Sequence, residues 1–532
     1  MATKTYDAII IGAGHNGLTS AAYLARAGLD VVVLERQPYI GGAAVSRELY
    51  DGWTYSNCSY VCSLMRPEIM RELELSRHGL QVIPYEGNVT MLTNGDSLVA
   101  HSDHDMFRRE VARHSAHDAE AYDRYSRDVR RKCRYIRPML LQTPPDPTSL
   151  KPRDLMGMYD IGRHFADLGE AEMCEVIRFW TMSAAEYLDE YFETDLMKAH
   201  LAGSGIIGTA LGPCSPGSAY VLLHHYMGEV DGHMGAWGFA RGGMGAVSGA
   251  IASAFQEAGG EIRVDAPVDQ IIVRDGQVEG VALVGGDEVR SKVVLSNLDV
   301  KNTFLNVMDP ADLPADFLHR VKHFKARGSS GKLNIALDGV PYFPSIPEGC
   351  SEVVGGDLGL LGTMEEVERA YDDWKEGRWS RRPFLDMMIP TLIDPTMAPP
   401  GKHYMSVFVQ YAPPHLADGE WDDENRKAFG DTVIDLISEF SPNFKDLILD
   451  MEVRSPQDIE NEVGITEGNI FHGELTMDQL LFNRPVPGYA QYRGPVAGMY
   501  MCGSSNHPGG GVMGAPGFNA AREVLGDLKI AS

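Results

Sequence analysis

The stretch Tyr6–Arg36, YDAIIIGAGHNGLTSAAYLARAGLDVVVLER, constrains the fold more than any other. Asp7–Ile11 is a short isoleucine-rich run and reads as a buried strand. Gly12-Ala13-Gly14-His15-Asn16-Gly17 follows at once and matches G-x-G-x-x-G. Leu18–Ala27 is rich in alanine and leucine and reads as a helix, which Gly28 ends in the left-handed conformation. Val31–Leu34 reads as a second strand, and Glu35 closes it. Gly12 permits the tight turn, Gly14 lets the backbone approach a pyrophosphate, and Gly17 lets helix and strand pack closely. The helix N-terminus, where His15 and Asn16 stand, offers free N–H groups and partial positive charge to phosphates. Glu35 lies 18 residues past Gly17, where an acid accepts hydrogen bonds from a ribose. The expectation is an α/β, Rossmann-like dinucleotide site.

A second signal stands at the other end. Gly498–Gly503 reads as a strand ending in glycine, Ser504–Gly517 (SSNHPGGGVMGAPG) as a glycine-rich loop, and Phe518–Leu528 as a helix. Such a loop directs backbone N–H groups at something anionic. The N-terminal unit takes one half of a dinucleotide, so this end is expected to receive the other. Gly41-Gly42, after Arg36, suggests a further loop passing close to the cofactor.

Between these ends, Phe239–Gly245 introduces a helix through Ala258, and Asp275-Gly276 is a hairpin signal between Ile271–Val273 and Val278–Val284. These read as a three-stranded β insertion on the dinucleotide sheet. No second strand–GxGxxG–helix–acid unit follows, so no separate NADPH domain is expected. His101–Arg134 is highly charged and helical. His101, His104, His114 and His117 lie in it without cysteine or a carboxylate cage, and read as a solvated face with no metal. Gly203–Gly217 and the YVLLHHY run Tyr220–Tyr226 suit an apolar cavity or ordinary core. His224 and His225 are acid–base candidates of low specificity. Gly331–Leu337 alternates, with Lys332, Asn334 and Ala336 on one face and Leu333, Ile335 and Leu337 on the other.

The chain has 532 residues, enough for two or three domains. Its charge, 47 − 74 = −27, argues against nucleic acid and against electrostatic docking on anionic lipid. No run of 18 apolar residues occurs, and a strand beginning at Asp7 leaves no room for a secretory signal. A cytoplasmic protein is expected. The seven cysteines are scattered, and the one close pair, Cys58 and Cys62, reads as packing rather than redox chemistry.

IIGAGHNGL (Ile10–Leu18), RGGMGAVSGAI (Arg241–Ile251), VVLSNLD (Val293–Asp299), RPVPGYAQYRGP (Arg484–Pro495) and HPGGGVMGAPGFNAA (His507–Ala521) together resemble the FAD-dependent phytoene desaturase-like carotenoid oxidoreductase family. That family lies within the amine oxidase-like flavoproteins. GAGHNG and HPGGG look most like its branch of pyridine nucleotide-disulfide oxidoreductase domain-containing proteins and desaturase-like carotene ketolases, although the C-x4-C of disulfide reductases is replaced by C-x3-C.

The resemblance implies an FAD lobe from residues 1–100, 236–310 and 486–532, and a substrate lobe from 101–235 and 311–485. It implies cofactor contacts from Gly12, Gly14, His15, Asn16, Gly17, Glu35, Arg36, Gly41, Gly42 and Ala43. Val268 would lie on the adenine side, and Gly503, Ser504, Gly511, Val512, Met513 and Gly514 along the flavin half. Ala43 and Ala44 stand where many relatives carry arginine, and Ser504 where relatives often carry Asp, Glu or Ala. Lys332 resembles the strand lysine that reaches flavin N5 through water in amine oxidase-like proteins, and is the catalytic candidate.

Three functions stay open. The first is hydride removal from an apolar isoprenoid or carotenoid-like substrate, with flavin reoxidised by oxygen or quinone and with peripheral membrane contact. The second is amine oxidation, for which Tyr489 and Tyr492 would supply an aromatic cage. The third is a non-catalytic, FAD-stabilised interaction protein. Oligomeric state is left open.

Overall fold

The computed structural model describes residues 4–360 and 362–530, the side chains of 351 and 352 excepted. A five-stranded parallel sheet runs in the order Glu261–Arg263, Val31–Leu34, Ala8–Ile11, Val294–Ser296 and Met499–Met501. These strands come from both ends and the middle of the chain. The two N-terminal strands are short β-branched runs buried on both faces, as a parallel sheet under helices requires. Side-chain alternation sorts the sheet's residues into two cores. Ala8, Ile10, Val31, Val33 and Leu295 pack with helices His15–Arg26, Gly245–Glu257 and Ala515–Leu528. Ile9, Ile11, Val32, Leu34 and Val294 face the other way, against the segment Val300–Ala326 and an antiparallel trio of strands. That trio is Val268–Arg274, Gln277–Leu283 and Glu288–Arg290. Its hairpin turns at Asp275 (φ 53°) and Gly276 (φ 75°), the left-handed pair that Asp-Gly supplies.

A second sheet has seven strands, ordered Ile448–Arg454, Ser330–Leu337, His403–Gln410, Phe384–Met388, Asp357–Leu360, Gly87–Met91 and Ser97–His101. Leu333, Ile335 and Leu337 pack on helix Asp423–Phe440 through Phe429, Val433 and Ile437. Ala336, on the opposite face, packs with Tyr404 and Phe408. Gly87–Met91 pairs in parallel with Asp357–Leu360, so the segment from Gly87 onward belongs with the second sheet. Helices between His104 and Tyr226 build a third core beside this sheet. The charged run reads correctly as helical from His104, whereas His101 ends a strand.

Candidate cofactor cradle and cavity

The glycine fingerprint does what its spacing demands. Gly12 has φ +92°, and a Cβ on Gly17 would lie 2.4 Å from the Gly12 carbonyl oxygen. A Cβ on Gly14 would lie 2.7 Å from Asn297 Nδ2, at the end of the neighbouring strand. The second glycine pair lies over the first: the Gly41 amide donates to Ala13 O at 2.9 Å, and a Cβ on Gly42 (φ +57°) would reach within 3.5 Å of Gly14 Cα. Glu35 is buried, and its carboxylate accepts from the amides of Ala13 (2.8 Å) and Gln37 (2.9 Å). It ties the fingerprint turn to the end of its own strand. Ala266 N donates to Glu35 O at 2.8 Å, which brings the strand starting at Val268 alongside. Arg36 is exposed and turned away. Its guanidinium donates to Asn461 O and Glu462 O near the C-terminus of helix Pro456–Val463, where a cation complements the helix dipole.

The two ends of the chain meet as expected. Asn16 Nδ2 donates to Ser504 Oγ at 3.0 Å, and Ser20 Oγ to Gly517 O at 2.7 Å. A Cβ on Gly517 would sit 2.1 Å from Asn16 O, so the helix starts at His15 and Ala515 touch through backbone. Gly514 precedes the second helix in the left-handed conformation, φ +72°. Gly503 packs against the Asn297 carbonyl, and Gly511 (φ +114°) faces Leu64 and His224. Val512 has φ +55°. Met513 is buried with Leu64 and Ala515, and its carbonyl accepts from Arg66 N at 3.1 Å. Ala43, at the edge of the glycine-pair loop, accepts from Ser59 N at 3.2 Å.

This cradle fits a dinucleotide on structural grounds. His15 Nε2, Asn16 Oδ1, Asn57 Oδ1 and Asn506 Oδ1 are enclosed without a hydrogen-bond partner in the protein. Unpaired buried polar atoms are costly, and His15 and Asn16 belong to the fingerprint itself, at the helix start that would meet a phosphate. Burial, with His472 nearby, pushes the His15 imidazole down to about 3, so it is neutral.

Arg484 was legible only as part of a motif. It is fully buried, and it donates to the carbonyls of Ser504, Asn506, Phe471, Gly473, Glu474 and Gln479. One guanidinium fork thus pins the loop that precedes the C-terminal helix. Burial pushes it down to about 9. The cage tyrosines are engaged elsewhere. Tyr492 is buried and donates to His507 O at 2.7 Å, and Tyr489 packs on Phe317 with ring centroids 4.6 Å apart.

Lys332 is 2% exposed, far from a surface strand end. Its ammonium donates to Ser56 O (2.5 Å) and Cys58 O (2.9 Å), and Asn334, on the same strand face, donates to Glu452 at 2.8 Å. Burial pushes the lysine down to about 7. The segment Ser56–Tyr60 therefore has two sides. Asn57 N and Ser59 N donate to Val45 O and Ala43 O beside the glycine-pair loop, while Tyr60 OH donates to Asp386 Oδ2 at 2.5 Å.

Asp386 lines a cavity of about 770 Å³. Phe107, Tyr125, Leu201, Ile207, Trp237 and Phe384 give it aromatic and aliphatic walls. His225 lines it, with Nδ1 bonded to Val221 O at 2.9 Å. His224 instead bonds Gly510 O at 3.2 Å, under the glycine-rich loop. Asp357 joins Asp386 on this wall. Neither aspartate carries a local motif, although an acid inside the apolar run Phe384-Leu385-Asp386-Met387-Met388 was a visible signal. Of the four histidines in the charged stretch, His101 lines the cavity and His104 pairs with Asp123 at 2.8 Å. His117 lies with Asp118 and Glu193, but Asp118 already accepts from the Glu193 and Thr194 amides.

A family profile described as flavin containing amine oxidoreductase matches residues 17–525. Pyridine nucleotide-disulfide oxidoreductase domain-containing protein 2 of Rattus norvegicus is 40% identical, over 98% of this chain and 94% of its own length. A limonene dehydrogenase component of Castellaniella defragrans is 26% identical, over 99% of this chain and 96% of its own. Among solved structures, an oxidoreductase from Methanosarcina mazei superposes with TM-score 0.60 at 17% identity, covering 98% of this chain and 99% of that one.

Proposed function

Since the chain belongs to the flavin containing amine oxidoreductases and is an FAD-dependent oxidoreductase, we propose that it oxidises a mainly apolar, isoprenoid-like molecule held in the 770 Å³ cavity. The observation that carries this reading is the segment Ser56–Tyr60, which has the glycine-rich cradle on one side and that cavity on the other. FAD, when bound, supplies two-electron redox chemistry. The protein's part is to hold and enclose. Glu35 and the helix starting at His15 would take the adenosine ribose and pyrophosphate, and the loop Gly511–Gly514 with the helix starting at Ala515 the other half. Lys332, out of water, is placed to hold a proton or a positive charge beside Ser56 and Cys58. The aromatic and aliphatic walls would orient an apolar body.

A relative named for limonene, matched along nearly its whole length, supports this class. The engagement of Tyr489 and Tyr492 in packing and hydrogen bonding weighs against an amine cage built from them. The discriminating experiment is anaerobic bleaching of the bound flavin by a panel of isoprenoids and amines. Bleaching by isoprenoids alone is expected. Bleaching by amines alone would establish the amine reading, and a flavin that no donor reduces would favour a non-catalytic protein.

A further inference from the structure

The oxidation proposed above needs an apolar cavity but no carboxyl pair. Asp357–Leu360 and Phe384–Met388 are antiparallel neighbours with Gly359 opposite Asp386. Residues two apart share a strand face, so Asp357 stands diagonally across from Asp386 with only a glycine between them. Both line the cavity, and Asp386 is 6% exposed. The other acids on the lining, Glu86 and Asp103, are exposed to solvent.

We propose that Asp357 and Asp386, steadied by Tyr60, form the docking point for one neutral hydroxyl group on an otherwise apolar ligand. The proposal rests on reading the cavity as the seat of an apolar molecule. Burial raises both carboxyls, and the charge of Asp386 raises Asp357 further, so the pair favours holding a proton and then offers one O–H donor and one acceptor. Tyr60 OH occupies a single acceptor position on Asp386 Oδ2. Asp357 Oδ1 is enclosed and has no partner in the protein. Two histidines of the lining differ, since His200 Nδ1 bonds Thr90 Oγ1 at 2.8 Å and the buried His225 bonds Val221 O through Nδ1 at 2.9 Å.

A hydroxyl donates and accepts at once, and so completes such a pair without bringing in charge. A charged headgroup fits poorly. Burial drives Asp357 and Asp386 up and His200 and His225 down, each toward its neutral form. The ligand class is therefore an isoprenoid-like alcohol.

The test uses the FAD-loaded protein and three probes with one C15 tail: farnesol, farnesene and farnesylamine. Trp237 lines the cavity, so tryptophan quenching reads occupancy. Farnesol is expected to bind at least tenfold tighter than farnesene. Asp357→Leu and Asp386→Leu should bring farnesol to the affinity of farnesene and leave farnesene unchanged. If the leucine variants lose FAD, the smaller Asp386→Ala, which removes donor and acceptor together, is read instead, and farnesol should weaken at least fivefold. Equal affinities for farnesol and farnesene, tightest binding of farnesylamine, or unaltered farnesol binding in Asp386→Ala would each overturn the subsite. Failure of farnesene to bind at all would instead overturn the apolar-cavity reading on which the subsite rests.

Discussion

The role proposed for Lys332 rests on its burial. Desolvation is the largest influence on it; Cys58 and Glu452 oppose the shift and Arg454 adds to it. Between its folded value of about 7 and the ordinary lysine value of 10.5, the unfolded chain holds a proton that the folded chain lacks. Its contribution to stability therefore rises with pH through that window, and the cost is fully present below it. Lys332→Met removes the group, so denaturant unfolding of the variant should depend less steeply on pH across that window than that of the parent. The variant should retain FAD, and turnover or flavin reoxidation should slow at least tenfold, about 1.4 kcal/mol in barrier. Unchanged stopped-flow rates would place Lys332 outside the site. Glu35 acts through hydrogen bonds instead. Its carboxylate already orders the amides of Ala13 and Gln37, so Glu35→Ala should loosen the turn as well as lose the ribose. A loss of about 1.5–3 kcal/mol is expected, roughly ten- to hundredfold in FAD affinity by equilibrium dialysis. Both residues could be singled out in the sequence, Glu35 by its distance from the glycines and Lys332 through its resemblance to the strand lysine of amine oxidase-like proteins. The grouping of Asp357, Asp386 and Tyr60 was not legible, although Asp386 stood out singly in its apolar run, because the three come together only when separate strands and a loop pack.

At the scale of elements, the ends of the chain were the readable part. Strand, glycine turn, helix, strand and acid obey local rules, and the structure keeps their order. What the sequence hid was the strut between distant loops. Arg484 makes its hydrogen bonds to carbonyl dipoles gathered from residues 471–479 and 504–506. No spacing rule announces such a set. Removing the fork strands several buried carbonyls, so Arg484→Met should cost at least about 3 kcal/mol and release flavin at a lower temperature in a fluorescence melt. Arg484→Lys should rescue little, since one ammonium cannot reach carbonyls on several sides. Gly514 tests the neighbouring helix start. Its φ is +72°, and a Cβ would lie 3.0 Å from Ile69 Cδ1. Gly514→Val should perturb the flavin spectrum and depress turnover while the N-terminal half of the cradle stays intact; a normal spectrum and rate would remove this glycine from the flavin's surroundings.

The whole molecule poses a question of access, because an apolar substrate of the kind proposed above would be dissolved in lipid. Among the described residues no helix is long and apolar enough to cross a membrane. The net charge of −27 opposes docking on an anionic surface. Exposed apolar side chains concentrate instead around two consecutive helices, Pro152–Ala166 and Glu170–Thr181: Leu150 is 86% exposed, with Leu155, Met156, Tyr159 and Ile177 nearby in sequence. None of these residues lines the cavity. The first helix buries only Asp154, so its apolar residues stay available. Each such side chain gains about 1.5–3 kcal/mol when fully withdrawn from water, enough in combination for reversible interfacial binding. The protein is therefore expected to float with zwitterionic phosphatidylcholine vesicles, and raising salt should not release it, since no ion pairing is involved. Adding anionic lipid should weaken the association. Leu155→Glu with Ile177→Glu should abolish flotation while leaving the flavin spectrum unchanged. Should the parent stay unbound in both low and high salt, surface docking is wrong, and a smaller substrate delivered through water gains weight.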